Sequence, residues 1–335
     1  MKTALTIFTA VVLSFFAGCA DREKDLLTKK EQLLSAGKEL LTVDFQQDRT
    51  LRYKFVSSRD IDVDWNPGKS GPKPEQTTVD STSESMDMVV SYTPVKVNPY
   101  GLTTIKATCE SVQVKRSKGR RQDAVESFAG KTFTFAIDPT GKIEDYSQLD
   151  SLIREVGEKA FRPDTARGRI KEPDMICDFV ASQWFLWDSV SSIENASQGV
   201  SVGQTWKSSL SVPTPMVTRK ARDVTYKLDA IRPAARGRLA VISSTYSPAE
   251  SVPSGWPIPY MGAFQMSGTF GFLRGYKMLS LKGKGTEVFN IDAGQIEQYN
   301  QQFETRWQAS LPFALEGGVN PLITIKQNLT MQILK

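Results

Sequence analysis

The stretch KTFTFAIDPTGKIEDY, Lys131 to Tyr146, recurs later in the chain as GTEVFNIDAGQIEQY, Gly285 to Tyr299. Phe135, Ile137 and Asp138 align with Phe289, Ile291 and Asp292; Gly141, Ile143, Glu144 and Tyr146 align with Gly294, Ile296, Glu297 and Tyr299. The second copy is one residue shorter at the turn, where Ala293 alone answers Pro139-Thr140. Each copy reads as a strand, a turn at an Asp and a Gly, and a second short strand, which is the pattern of a β-hairpin. Two such hairpins predict a chain built from two related β-rich halves, and 335 residues are enough to bury a sizeable core.

The remaining periodicities support this. Leu51, Tyr53 and Phe55 share one face of a strand, and Ile61 and Val63 keep their parity. Met86, Met88, Val90 and Tyr92 alternate in the same way after a Pro- and Gly-containing loop, Asn66 to Thr82. In the second half, Val224 to Leu228 echoes Arg52 to Phe55, and strands are expected at Leu239 to Tyr246, Gly268 to Leu273, Met278 to Leu281, Gly285 to Ile291, Phe303 to Leu311 and Leu322 to Leu334. Two segments have helical spacing instead. Leu149, Leu152, Ile153, Val156 and Ala160 form one apolar face behind Ser147 as N-cap, with Asp150 as its capping partner. Ile176, Phe179, Val180, Trp184, Phe185, Leu186 and Trp187 point nearly all round a helix opened by Pro173, so that helix should be buried between the halves. The predicted class is α+β, mainly antiparallel β, with two related β-meander halves and a few covering helices. The halves run over 44–170 and 199–335, joined by a helix over 171–198.

The N-terminus supplies an address. Lys2 precedes an apolar run, Ala4 to Phe16, too short to span a bilayer comfortably, and Phe16-Ala17-Gly18-Cys19 follows. This resembles the lipobox of bacterial lipoproteins. The resemblance implies a signal peptide over 1–18, cleavage before Cys19, and a lipidated Cys19 that anchors the chain to the membrane. Ala20 in place of Asp then points to the outer membrane, facing the periplasm. Leucine pairs spaced by seven, Leu26-Leu27, Leu33-Leu34 and Leu40-Leu41, predict a helical linker within 19–43. Cys109 and Cys177 remain after the anchor. In an oxidising envelope they could form a disulfide, and two separately buried thiols are the alternative.

Together, the lipobox, the Tyr53-Lys54-Phe55 strand, the strand-Asp-Gly-strand hairpin before a helix, and the Val200-x-Val202-Gly203-x-x-Trp206 entry to the second half resemble an uncharacterised family of bacterial β-rich lipoproteins. The resemblance implies no catalytic residues.

The chemistry the chain can perform is narrowed by one absence. There is no histidine, so the usual general base, the commonest metal ligand and every Ser-His or Cys-His arrangement are missing. The net charge of +5 is too small to point to nucleic acid, and the basic cluster Lys115 to Arg121 reads as a solvated hairpin tip. Ala129-Gly130-Lys131-Thr132 lacks the earlier Gly of a phosphate-binding loop, and Asp60-Ile61-Asp62-Val63-Asp64 lacks the Gly and Glu of a calcium loop. Asp138, Glu144, Asp292 and Glu297 recur at turns, where backbone capping explains an Asp better than catalysis. Neither enzyme activity, a cofactor nor a bound metal is therefore expected. Two apolar clusters, Trp184 with Trp187 and Trp256 with Tyr260, are the candidate surface for a ligand or partner. The leading expectation is a non-enzymatic envelope scaffold that binds a partner protein, and the alternative is a periplasmic carrier of a lipid or other apolar ligand.

Overall fold

A computed structural model describes residues 33, 35–67, 79–98, 101–118, 122–160, 175–208, 212–213, 221–249, 273–310 and 320–335. Cys19, Trp256, Tyr260, the signal peptide, Pro173 and most of the predicted linker helix lie outside them.

The strands in chain order are β1 (Leu51–Asp64), β2 (Val79–Val97), β3 (Thr103–Arg116), β4 (Thr132–Ile137), β5 (Ile143–Asp145), β6 (Thr205–Lys207), β7 (Val212–Pro213), β8 (Ala221–Ala234), β9 (Gly237–Pro248), β10 (Arg274–Asn290), β11 (Gln295–Ser310) and β12 (Leu322–Leu334). Between β5 and β6 come the helices α1 (Ser147–Ala160), α2 (Ile176–Phe185) and α3 (Asp188–Ser191). All strands join one open antiparallel sheet in the order β5-β4-β3-β2-β1-β12-β11-β10-β9-β8-β6, with β7 beside β8. The chain is thus mainly antiparallel β with few helices. Its two strand runs are fused into one sheet through the β1–β12 pair, whose register matches Arg52 with Leu334 and Asp64 with Leu322. The sheet ends on short strands at both edges, β5 on one side and β6 with β7 on the other, which limits the unpaired backbone offered to another chain.

Alternation determines which face is buried. Tyr53, Phe55, Met88, Val90, Tyr92, Ile105, Phe133, Phe135, Ile242, Phe289, Phe303 and Leu329 all lie in the main core. Phe135 and Phe289 therefore occupy equivalent inward positions in two hairpins, as the repeat predicts. The turns differ in detail. Asp138 caps its own turn by accepting the Thr140 and Lys142 amides, whereas Asp292 accepts the Arg238 amide and guanidinium from the neighbouring β8–β9 turn.

Four expectations are corrected. The 66–82 loop gives way to β2 at Val79, because the polar run Val79 to Ser85 has a partner strand along its length in β1. The separate strands expected around 278–291 are one bulged strand, β10, with register shifts near Lys277 and Ser280. The leucine-paired helix does not extend through Leu41: Gly37 adopts φ +68 and stops it, and Leu41 is buried from an extended segment whose Glu39 bridges to Val200. At α1 the side chain that accepts an orphan amide is Asp145, from Ser147 N. That contact holds the Asp145 carboxyl below the usual carboxylate range.

Helix α2 lies over the sheet's inner face, and every residue from Asp178 to Phe185 is buried. Because it has no solvent face, its polar side chains need partners inside the protein. Asp178 and Gln183 find theirs on strands, as described next, and Ser182 donates to Asp178 O of its own helix.

Candidate functional site

The inner face divides into an apolar part and a polar part. Against β1–β5, the rings interlock. Trp187 meets Phe45, Tyr92 and Phe135 edge-on at 5.7, 5.6 and 5.9 Å, Phe128 stacks on Phe179 at 4.2 Å, and Trp184 meets Tyr146 at 5.3 Å. Trp184 and Trp187 are 6% and 1% exposed. They are therefore core side chains and offer no surface to a partner. Trp256 and Tyr260 fall outside the described residues.

The polar part holds the helices to particular strands. Asp178 of α2 accepts from Ser57 Oγ at 2.6 Å, Arg59 Nη1 at 3.0 Å and Gln327 Nε2 at 3.0 Å, which ties the helix to the β1–β12 seam. Arg59 also donates to Glu84 at 2.7 Å. Burial works against the Arg59 charge, yet Asp178 and Glu84 outweigh it and hold its pKa above the usual arginine range. Arg116, expected at a solvated tip, instead turns inward to Glu84 and Asp123 because β3 carries it onto the inner face. Gln183 accepts from Tyr92 Oη at 2.6 Å. In α3, Asp188 accepts from Ser192, Ser208 and Tyr226, and Ser189 donates to Glu287 of β10. Burial pushes the Glu287 carboxyl up to about 8, so it is mostly protonated at neutral pH.

Arg222 of β8 breaks the pattern. It is 1% exposed, and its described hydrogen bond is Nη2 to Gln301 Oε1 at 2.8 Å. Its guanidinium carbon lies 4.2 Å from the Phe185 ring centre, 4.3 Å from Tyr246 and 5.1 Å from Phe303. Tyr246 takes this position because β10 has glycines beneath it: a Cβ at Gly283 would come within 2.6 Å of Tyr246 Cδ2, and one at Gly285 within 2.4 Å of its hydroxyl. Nε and Nη1 have no hydrogen-bond partner among the described residues. A desolvated cation–π contact returns about 2 kcal/mol, whereas burying an ion costs several kcal/mol. Burial accordingly lowers the Arg222 pKa from its ordinary value.

The outer face presents a second feature. Cross-strand register places Lys54, Gln332 and Gln298 in one row, and Val56, Thr330, Asn300 and Thr286 in the next. Further along come Ser58, Asn328, Gln302 and Lys284, then Asp60, Lys326, Glu304 and Lys282. Two adjoining hollows of about 470 and 550 Å³ cover these rows. Amides, hydroxyls, lysines and the acids Asp60 and Glu304 line them together with Val56, Tyr299, Met331 and Phe303. The exposed lining of the second hollow is mainly apolar, and the Asn328 Oδ1 buried there has no partner among the described residues. The signal for this trough in the sequence is weak, because it exists only once three registers are fixed.

Cys109 is buried in β3 and Cys177 is half-buried in α2; they stay separate thiols. Of the two arrangements left open by the sequence, this is the unbridged one. Burial pushes the Cys109 thiol up to about 12, which leaves it unreactive at neutral pH. Glu144 pairs with Lys142 at 2.7 Å and Glu297 accepts from Asn290 at 2.9 Å, so these repeated carboxylates serve their turns.

No protein-family model and no curated protein matches the chain. Among solved structures, one on lipid–protein interactions in lipovitellin is similar over 87% of this chain, at 12% identity and a TM-score of 0.42. The match takes in 26% of the lipovitellin chain, so this protein spans about a quarter of it. A porin mutant from Rh. blastica aligns over 85% of this chain and 99% of its own, at 9% identity and a TM-score of 0.17. Likenesses at these scores carry no argument about function.

Proposed function

We propose that this protein is a bacterial envelope lipoprotein, anchored through Cys19, that works by non-enzymatic binding of a partner protein on the outer face of its sheet. The two strand runs, β1–β5 and β6–β12, are read as related halves that together supply this face. The observation carrying the proposal is the trough across β1, β12, β11 and β10. The inner face is taken up by α1, α2 and their packed rings, so an outer concavity is where a large partner can be met. Its four lysines, Lys54, Lys282, Lys284 and Lys326, stand against Asp60 and Glu304. Lys54 is already paired with Asp87, so the surplus rests on Lys282, Lys284 and Lys326. With the mainly apolar lining of the second hollow, it favours a weakly acidic protein surface that also carries apolar side chains.

The test is site-specific photo-crosslinking of the full chain in cells. A benzophenone side chain at Asn300, within the trough, is expected to give a discrete crosslinked species. The same probe at Lys106, on the outer face of β3, is expected to give none. Equal yields at both positions, or no product at Asn300, would refute the proposal. The anchor is tested separately: Cys19→Ala should release the protein from the membrane fraction.

A second reading, a periplasmic carrier of an amphiphilic molecule, is favoured by one observation: the Arg222 cation enclosed among aromatic rings. An outer-face partner does not account for it.

A further inference from the structure

We infer that Arg222 is the anchor of an internal oxyanion site that takes a carboxylate or phosphate group. The inference is independent of the partner-binding reading. Among the described residues, three arginines reach the inner face of the sheet, and two of them are paired with acids. Arg59 contacts Asp178 and Glu84, and Arg116 contacts Glu84 and Asp123. Arg222 alone among these three makes its described hydrogen bond to a neutral amide, Gln301. A guanidinium carries five N–H donors. Here the Nε–H and both Nη1 hydrogens have no acceptor among the described residues.

The nearby carboxylates do not fill this gap. Asp188 is occupied by Ser192, Ser208 and Tyr226. Glu287 is held by Ser189, and burial keeps it largely neutral. Phe185 and Tyr246 pack against the guanidinium at nearly equal distances. What is left is a planar, immobilised set of charged donors in an apolar enclosure. Nη2 carries two hydrogens, and the one that Gln301 leaves can form a fork with either Nε–H or Nη1–H. That fork matches the oxygens of a carboxylate or phosphate, whose negative charge would offset the buried positive one. Arg59 and Arg116 each have two protein acids against them, although Arg116 Nε also lacks a hydrogen-bond partner among the described residues. The missing acid at Arg222 is the feature that points to a ligand. The same oxyanion chemistry could come from a free inorganic ion or from the head group of an amphiphile.

The two sources are separated by NMR on the detergent-solubilised full chain labelled with ¹⁵N-arginine. The Arg222 Nε–H resonance is identified by its loss in Arg222→Lys. If that variant does not fold, it is identified by its displacement in Gln301→Leu. Inorganic phosphate and decanoate are then titrated in separate samples. Saturable displacement of this resonance by either one supports the site. A response to phosphate alone assigns it to an inorganic ion, and a response to decanoate alone assigns it to an amphiphile head group. Where Arg222→Lys folds, binding of the active probe, followed by isothermal titration calorimetry in both proteins, should weaken about tenfold, because lysine cannot reproduce the planar fork. No displacement by either probe at millimolar concentration would overturn the inference. So would a parallel displacement of the exposed Arg52 resonance.

Discussion

Replacing Glu287 with Gln tests the polar part of the interior most directly. Glu287 is buried beneath α3 with Ser189 as its donor, and its pKa is raised from 4.5 to about 8 by burial first, with the Asp188 charge adding to it. For a carboxyl whose folded pKa is raised, stability is fully present below the unfolded value. It is lost as pH rises through the folded value, because the unfolded chain ionises freely while the folded one does not. The window is therefore pH 4.5 to about 8. At about 1.36 kcal/mol per pH unit, the full cost approaches 5 kcal/mol, of which about 3 kcal/mol is already present near pH 7. Glu287→Gln keeps the acceptor for Ser189 and cannot ionise. Its amide hydrogens add a cost of their own, but one that does not vary with pH. Urea denaturation of both proteins at intervals from pH 5 to 9 should show the variant gaining on the wild type by about 4 kcal/mol across the range. Other titrating groups are shared and cancel in the difference. Parallel stability curves would show that Glu287 ionises normally in the folded protein and would refute the reasoning.

Three further outcomes are expected. Asp178→Ala should cost about 1–3 kcal/mol in denaturant melts, because Arg59 keeps Glu84 while Ser57 and Gln327 lose their buried acceptor, and an unchanged midpoint would contradict this. Gly283→Ala should destabilise by about 1–3 kcal/mol, because the new Cβ would lie 2.5 Å from Phe303 Cβ and from Gln302 O; an unchanged melting temperature would contradict this. Trp187→Ala should cost about 3–5 kcal/mol in the same denaturant melts, and a smaller loss would show that the surrounding rings close over the gap.

Much of the strand content could be read from the sequence because burial alternates so regularly here. Tyr53 and Phe55, Phe133 and Phe135, and Leu329 and Met331 all point inward as their parity requires. The repeat correctly paired Phe135 with Phe289 in comparable hairpins. It could not reveal that both strand runs share one sheet, because the β1–β12 pairing is encoded only in how two distant registers complement each other. The start of β2 escaped because Val79 to Ser85 is polar, and its strand conformation comes from its neighbours. The candidate sites were the least legible. The all-round apolar pattern of α2 drew attention to Trp184 and Trp187, which are core. The informative residues were the few polar ones in that segment, Asp178, Gln183 and Asp188, since a helix with no wet face must find them partners. Arg222 gave no signal at all: in sequence it is one of several basic residues beside Asp223, and only the fold shows that its side chain is enclosed.

The seam between β1 and β12 also constrains how the protein comes to be folded. Arg52 and Leu334 are neighbours in the sheet yet are separated by nearly the whole chain. In a chain that emerges N-terminus first, β1 appears long before β12, so the β1 edge must wait, unpaired, while the ten other described strands follow. Loop closure over such a distance is slow, and an open edge with Tyr53 and Phe55 on one face invites wrong pairings in the interval. Of the described strands, β12 comes last in the chain and is the one that joins the two strand runs, so the seam cannot close before β12 appears.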